Sequence, residues 1–426
     1  MSQKVYPKYR WYVLFALLVS VVIQGMVMIC PSPIVGAIAE SLKLDLGSAT
    51  AAITLPFLLT IGVGGVLSGF IIDKFGLEKT FVVSTAIVVI TGLLMPVFGK
   101  TIIGLIVLRG IQGLVFAPTT AAAGPKVAAE WFPPHERVMV PGLMNAAFSL
   151  GISVGFCVSP AIAAVSGWNA AFTWMTLAMI LSLILFVIQA FGPKAPGFTE
   201  ENITAATSND DFKKVFKLPV FWITIVAFFM FPWVLQGYNN LMAGKLAVPT
   251  PVGLGLGAQV TGGIMSGFTI AGVIGSILSS LILEKIFRGK FKTGITVTFI
   301  LTALFCVLVM LPGIYTNVVL LTGCVIMAGF FTGMPGPFIQ GFISRHYPTH
   351  IMGRVGGITI GLGMFGGSVS VAVGSFALHA TGYYTVPIIL VIIAAIIGAI
   401  AGFGIIPAKI LENDKECATV HELSQS

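Results

Sequence analysis

The chain has 426 residues, 57% of them hydrophobic and only 9% charged, with a net charge of +8 and a mean hydropathy of +1.02. A soluble domain carries about 25% charged residues, and helices that are apolar on most faces need lipid or a very large core around them, so a soluble fold is excluded. The cation excess needs no nucleic-acid partner, because membrane topology and anionic headgroups account for where the cations lie.

A bilayer's hydrocarbon layer is about 30 Å thick and takes roughly 20 apolar residues per crossing helix. Twelve stretches meet that requirement, at 11–28, 49–72, 80–98, 102–127, 138–165, 170–191, 221–240, 259–283, 293–311, 317–342, 355–378 and 386–405. The first follows Lys4, Lys8 and Arg10 as a signal peptide would, but it is too long and lacks a small-residue cleavage site, so an uncleaved first helix is expected. Of the 23 Lys and Arg, 18 fall in the tails and connectors on one side and only Lys43, Lys100 and Lys245 on the other; Arg109 and Lys126 lie inside the fourth span. That bias places both termini in the cytoplasm. The five cysteines imply no extracellular disulfide, and no pair of them has metal-ligand spacing.

The longest polar connector, 192–218, divides the spans six and six, giving a bundle at 1–191, a cytoplasmic linker at 192–218, and a second bundle with a cytoplasmic tail at 219–426. The halves repeat at an offset of 215. Phe132, Pro133, His135, Gly142 and Gly151 match Tyr347, Pro348, His350, Gly357 and Gly366. Duplicated six-helix units enclosing a site between them are the usual plan for alternating access. Gly-x-x-x-Gly spacings at Gly65–Gly69, Gly151–Gly155, Gly263–Gly267, Gly329–Gly333 and Gly357–Gly361 allow close helix approach, either as simple packing or as smooth contacts for rocking.

Three segments carry a family likeness. The first is G-F-I-I-D-K-F-G, Gly69–Gly76, between spans two and three. The second is R-G-I-Q-G, Arg109–Gly113, and the third is the glycine-rich fifth span ending in G-W-N-A-A-F, Gly167–Phe172. Together they resemble the major facilitator superfamily. The resemblance implies an all-α membrane protein with 12 transmembrane helices in two pseudo-symmetric six-helix bundles, working as a monomeric porter in the cell inner membrane. In the first motif Gly69, Asp73, Lys74 and Gly76 match, while Leu77 and Glu78 stand where basic residues are usual; Glu284 and Lys285 are the second half's imperfect echo. These six are the expected cytoplasmic gate. The subfamily stays open, with organic-anion porters of the monocarboxylate or oxalate–formate kind as one candidate. Proline follows Gly155 only at Pro160, which departs from the antiporter pattern.

Charge inside hydrocarbon is costly and rarely kept without a role. Arg109 is about 10 Å below the outer boundary, at the level expected for Gln24 in span one. No Asp or Glu lies in the core of a span, so no carboxylate proton relay is expected there. Arg109 either meets an anionic solute with its planar fork or braces helices through backbone carbonyls and Gln24. Down its face come Gln112, Gly113, Phe116 and Thr120. Span seven adds a stripe of Phe229, Trp233, Gln236 and Asn240, bent at Pro232 and ending in the polar pair Tyr238 and Asn239. The expected solute site is thus Gln24, Arg109, Gln112, Phe116, Thr120, Phe229, Trp233, Gln236, Tyr238, Asn239 and Asn240, lined by aromatics and amides. No nucleophile motif, phosphate loop or metal cluster points to an enzyme, a cofactor or a metal. The expected function is movement of a small organic anion, with a carrier of neutral amphipathic molecules and a transport-derived sensor as alternatives.

Overall fold

The computed structural model describes residues 7–133, 136, 139–194, 215–347 and 349–406. Expectations placed on Lys4, His135, Arg137, most of the linker 192–218 and the tail from 407 lie outside those residues, as does the Asp73 side chain. The described residues are all-α, and twelve helical segments among them are long and apolar enough to cross a membrane.

Helix α1 is Arg10–Ile29. It runs past the expected end at 28 into a 3₁₀ turn at Ser32–Ile34 and a short helix at Val35–Leu42. The cause of the interruption is chemical, because Pro31 and Pro33 supply no N–H to the preceding turn. Asp45 then caps α2, Leu46–Phe75, by accepting from the Ser48 N–H at 2.9 Å. Gly76 stands in the left-handed region at φ +84° and turns the chain directly into α3, Leu77–Phe98, which gives the glycine of the predicted gate motif its physical reason.

Helix α4 comprises Ile102–Ala117, a π-helical turn at Pro118–Ala122, and Ala123–Trp131. Helix α5 is Met139–Ser166, and α6 comprises Trp168–Leu177 and Met179–Phe191. Helix α7 comprises Pro219–Gly237, a second π-helical turn at Tyr238–Met242, and Ala243–Ala247. Then follow α8, Gly257–Lys285; α9, Phe291–Leu308; α10, in two parts, Val318–Thr332 and Pro335–His346; α11, Thr349–Thr381; and α12, Thr385–Gly404. The break in α10 at Gly333 falls at the same offset of 215 from Pro118, where α4 departs from regular helix. The repeat legible in the connectors thus extends to an irregularity inside the spans.

Contacts divide the chain into two compact units. The first holds 1–199 together with 238–270 and 371–387; the second holds 200–237, 271–370 and 388–426. The distal ends of the helices are those joined by connectors within span pairs one–two, three–four and so on, away from the chain termini. The first unit therefore gathers the distal ends of α7, α8 and α11 and the start of α12 around the whole of α1–α6.

Inside the first unit α1 and α5 pack backbone to backbone. A Cβ on Gly151 would come within 2.0 Å of the Val22 carbonyl, and one on Gly25 within 2.4 Å of the Phe148 carbonyl. Gly151–Gly155 is thus a real close-approach motif, whereas Gly263 and Gly361 face open space. Toward the chain termini the core is aromatic and aliphatic, with Val13, Leu17, Phe81, Trp131, Phe132 and Phe186 buried together. In the second unit α7 lies close to α11, where a Cβ on Gly366 would meet the Phe229 carbonyl at 2.0 Å.

Candidate functional site

The site is built on the backbone that proline leaves unpaired. The Val27 carbonyl would accept from the N–H four residues on, but that residue is Pro31, which has none. Arg109, fully buried on α4, takes its place: Nη1 donates to the Val27 carbonyl at 3.1 Å, and Nη2 to the Met28 carbonyl at 3.1 Å. Nε donates to the Ile53 carbonyl of α2 at 3.0 Å, and Nη1 also to Gln112 Oε1 at 3.1 Å. The guanidinium carbon sits 4.4 Å from the Phe57 ring centroid and 5.8 Å from that of Phe172 on α6. Gln112 passes the connection on, donating to Thr91 Oγ1 of α3 at 3.0 Å. Four helices thus meet at one cation and a fifth joins through Gln112, and four of the guanidinium's five N–H donors are bonded. Of the two roles left open by the sequence, this geometry is that of the brace, with Gln112 in the position expected of Gln24.

Gln24 bonds elsewhere. Its Nε2 donates to Ser20 Oγ at 3.1 Å and to Thr119 Oγ1, and its Oε1 is buried with no hydrogen-bond partner. Phe116 is buried edge-on to Phe57 at 5.3 Å. The hydroxyls of Thr119 and Thr120 both donate to the Phe116 carbonyl, at 3.0 and 2.9 Å. Thr120 was expected on this face; its neighbour Thr119, not singled out by spacing, is the residue that reaches Gln24.

The α7 stripe is interrupted. Phe229 and Trp233 lie with ring centroids 6.1 Å apart, half-buried along with Gln236. Beyond them the π-helical turn adds a residue to the repeat, so helical spacing does not carry from Phe229 straight to Asn240. Tyr238 stacks on Phe268 of α8 at 4.7 Å and 11°. Asn239 is buried, its Oδ1 without a hydrogen-bond partner. Asn240 Oδ1 accepts from Ser32 Oγ at 2.7 Å. Sequence spacing brought Arg109, Gln112 and Phe116 together correctly; it did not foresee that Asn240 binds the 3₁₀ turn after α1.

Other contacts within the first unit tie the two sequence halves, from mid-span to the distal end. Ser153 Oγ of α5 lies 2.5 Å from Ser266 Oγ of α8, and a Cβ on Gly262 would meet the Phe156 carbonyl at 2.1 Å. His379 Nδ1 of α11 lies 3.0 Å from Asp45 Oδ2. Burial alone would raise the Asp45 pKa, but hydrogen bonds from the Ser48 side chain and backbone and from His379 hold it down at about 2. Leu46, Val248, Leu378 and Tyr384 pack beside this pair.

Of the expected gate, Lys74 is exposed with its Nζ 5.3 Å from the Phe75 ring, and Gly76 makes the turn described above. Glu284 pairs with Arg345 at 2.5 Å, half-exposed, in preference to the neighbouring Lys285. Sequence reasoning passed over Arg345, which lies in α10 sixty-one residues on and has no local signal.

Comparison with known proteins adds the family. The chain is 25% identical over 349 residues to a glucose transporter of Staphylococcus epidermidis, covering 74% of this chain and 76% of that one. It is 24% identical over 325 residues to the cis,cis-muconate transport protein of Acinetobacter baylyi, covering 73% and 74%, and 26% identical over 264 residues to the oxalate:formate antiporter of Oxalobacter formigenes, covering 59% and 58%. Among solved structures it resembles a D-xylose–proton symporter (TM-score 0.75, 16% identity, 94% and 98% covered). A bacterial homologue of the lysosomal transporter Spinster, inward-facing and occupied, matches with a TM-score of 0.74 at 14% identity, 94% and 97% covered. The family model of the Major Facilitator Superfamily matches residues 17–371, and this chain belongs to that superfamily of membrane transporters.

Proposed function

We propose that this chain carries a small organic anion, most simply a carboxylate, across the cell inner membrane by alternating access, as a monomer with both termini cytoplasmic. The moving bodies are the sequence halves 1–191 and 219–426, joined by the linker 192–218. The observation that carries the reading is the first compact unit, where residues from both sequence halves are bonded across Ser32–Asn240 and Asp45–His379 at the distal end and across Ser153–Ser266 nearer mid-span. Such contacts are what a closed distal mouth requires, and their rupture would open it. The cation bias toward one side supports the orientation. Relatives named for muconate and for oxalate and formate support a carboxylate. Gln24, Thr120, Phe229, Trp233, Gln236, Tyr238 and Asn239 would then present aromatics and amides to the solute. Gly69, Asp73, Lys74 and Gly76, with Glu284 and Lys285, would serve the opposite gate.

A second reading, transport of a neutral solute, is favoured by the relative named for glucose and by the commitment of Arg109 to carbonyls. Uptake into proteoliposomes separates the two. For a carboxylate carrier, labelled muconate or oxalate enters, unlabelled carboxylate but not D-glucose competes, and an inside-positive potential speeds net entry of the anion. Entry of D-glucose at a rate insensitive to potential, with no carboxylate entry, establishes the neutral reading instead.

A further inference from the structure

Two cations are buried within the spans among the described residues, Arg109 and Lys245. The first has four hydrogen-bond acceptors. Lys245, 8% exposed in the last part of α7, has no ion pair and no side-chain hydrogen bond among the described residues. An unpaired ammonium taken out of water is costly, and an intramembrane charge without a partner marks function more often than support. We propose that Lys245 is a solute ligand, the residue that binds a carboxylate group of the transported anion at the distal end. The inference rests on the organic-anion reading above and adds to it a residue that sequence had left in a connector.

A lysine near a helix C-terminus has an ordinary use, as a counter-charge to the helix dipole and a cap for the last carbonyls. Here that work is already done by backbone. The connector after α7 folds back so that the Leu254 N–H donates to the Lys245 carbonyl at 2.7 Å, the Leu256 N–H to the Leu246 carbonyl at 3.0 Å, and the Val248 N–H to the Gly244 carbonyl at 3.0 Å. Nor do the acids of this end neutralise it. Asp45 is engaged by Ser48 and His379, and Glu40 is exposed.

The segment that carries Lys245, Ala243–Ala247, packs against the other sequence half, at Ser32–Ile34 and Val35–Leu42. The same 3₁₀ turn lines a small void with Thr50, Thr54 and Asn240, so polar groups already border this seam. Closing the distal end therefore leaves a largely buried ammonium with no counter-charge among the described residues. Closing it over a carboxylate buries a neutral pair, which costs less. Lys245 thus favours closure in the loaded state, and the sign of its charge selects the sign of the solute.

The test uses the full chain with Lys245→Met, Lys245→Gln and Lys245→Arg, and with cis,cis-muconate, oxalate and D-glucose as probes. In the wild type, muconate or oxalate raises the melting temperature and is taken up by proteoliposomes. Lys245→Met and Lys245→Gln lose the ligand-induced shift and raise KM by about thirty-fold or more, the scale for removing one partner of a buried charge pair. Lys245→Arg, which keeps the charge, retains the shift. Without ligand, Lys245→Met melts at or above the wild-type temperature, whereas a capping role would lower it. Carboxylate shifts and KM values equal to wild type in Lys245→Met and Lys245→Gln overturn the assignment of Lys245 alone. Failure of every carboxylate to stabilise or enter with the wild type overturns the anion reading, and this proposal with it.

Discussion

Arg109 and Lys245 carry the same charge and are buried almost equally, 0% and 8% exposed, yet their surroundings are opposites. Around Arg109 the chain supplies three backbone carbonyls, an amide oxygen and two aromatic faces. Around Lys245 the described residues supply no hydrogen-bond acceptor for the side chain and satisfy the neighbouring backbone internally. A buried cation bonded to acceptors on several helices of one bundle holds that bundle together. One left bare, at a place where two sequence halves touch, is available to something that arrives. The same residue class thus divides into scaffold and site according to whether its partners are built in.

The largest effect separating the two follows from removing Arg109. Arg109→Ala orphans the Val27 carbonyl and leaves Gln112 Oε1 without its donor, at a cost of about 3–5 kcal/mol by analogy with other broken buried charge networks. Little monodisperse protein is expected in detergent, and Arg109→Lys should not rescue it, because one ammonium cannot reach acceptors in three directions. Normal melting of Arg109→Ala would show that the network is ornamental. Lys245→Met should move stability the other way or not at all.

Next in size is the distal seam. Gly262→Val drives its side chain into the Phe156 carbonyl and the Pro160 ring. Overpacking of this kind costs about 1–3 kcal/mol, and it falls on the distally closed state. The expected outcome is increased labelling of Ser32→Cys by an impermeant thiol reagent added from the distal side; unchanged labelling would mean that this contact does not help hold the seam.

The smallest effect is at Asp45. Asp45→Ala removes a helix cap worth about 1 kcal/mol. The folded-state pKa of about 2 lies below the unfolded value near 3.8, so the carboxylate's contribution is present above about pH 4 and is lost as pH falls through 2. The melting difference between wild type and Asp45→Ala should shrink across that window. A difference that persists below pH 2 would place the effect outside the carboxylate's charge.

Much of the fold was legible because bilayer thickness imposes it. The apolar runs and their number survive in the helices of the described residues. Close packing at Gly151–Gly155 was legible for the same reason, since only a missing side chain permits that approach. The hydrogen-bonding of Arg109 was half legible: intramembrane charge announced importance, but three of its acceptors are backbone carbonyls, one of them freed by Pro31, and backbone acceptors leave no spacing in sequence. Lys245 was missed because a π-helical turn and five further residues lengthen α7 beyond the point where polarity had seemed to end it. Glu284–Arg345 and Asp45–His379 join residues far apart in the chain, and nothing local specifies such pairs.

Alternating access makes the contacts between the sequence halves breakable by necessity, and Ser153–Ser266 tests this most directly because its hydroxyls lie 2.5 Å apart. In a chain with its five cysteines replaced, Ser153→Cys with Ser266→Cys should cross-link on mild oxidation. Solute uptake into proteoliposomes should then stop and return on addition of a reductant, while each single variant transports before and after oxidation. Uptake by the fully cross-linked protein at the rate of the reduced protein would contradict the mechanism.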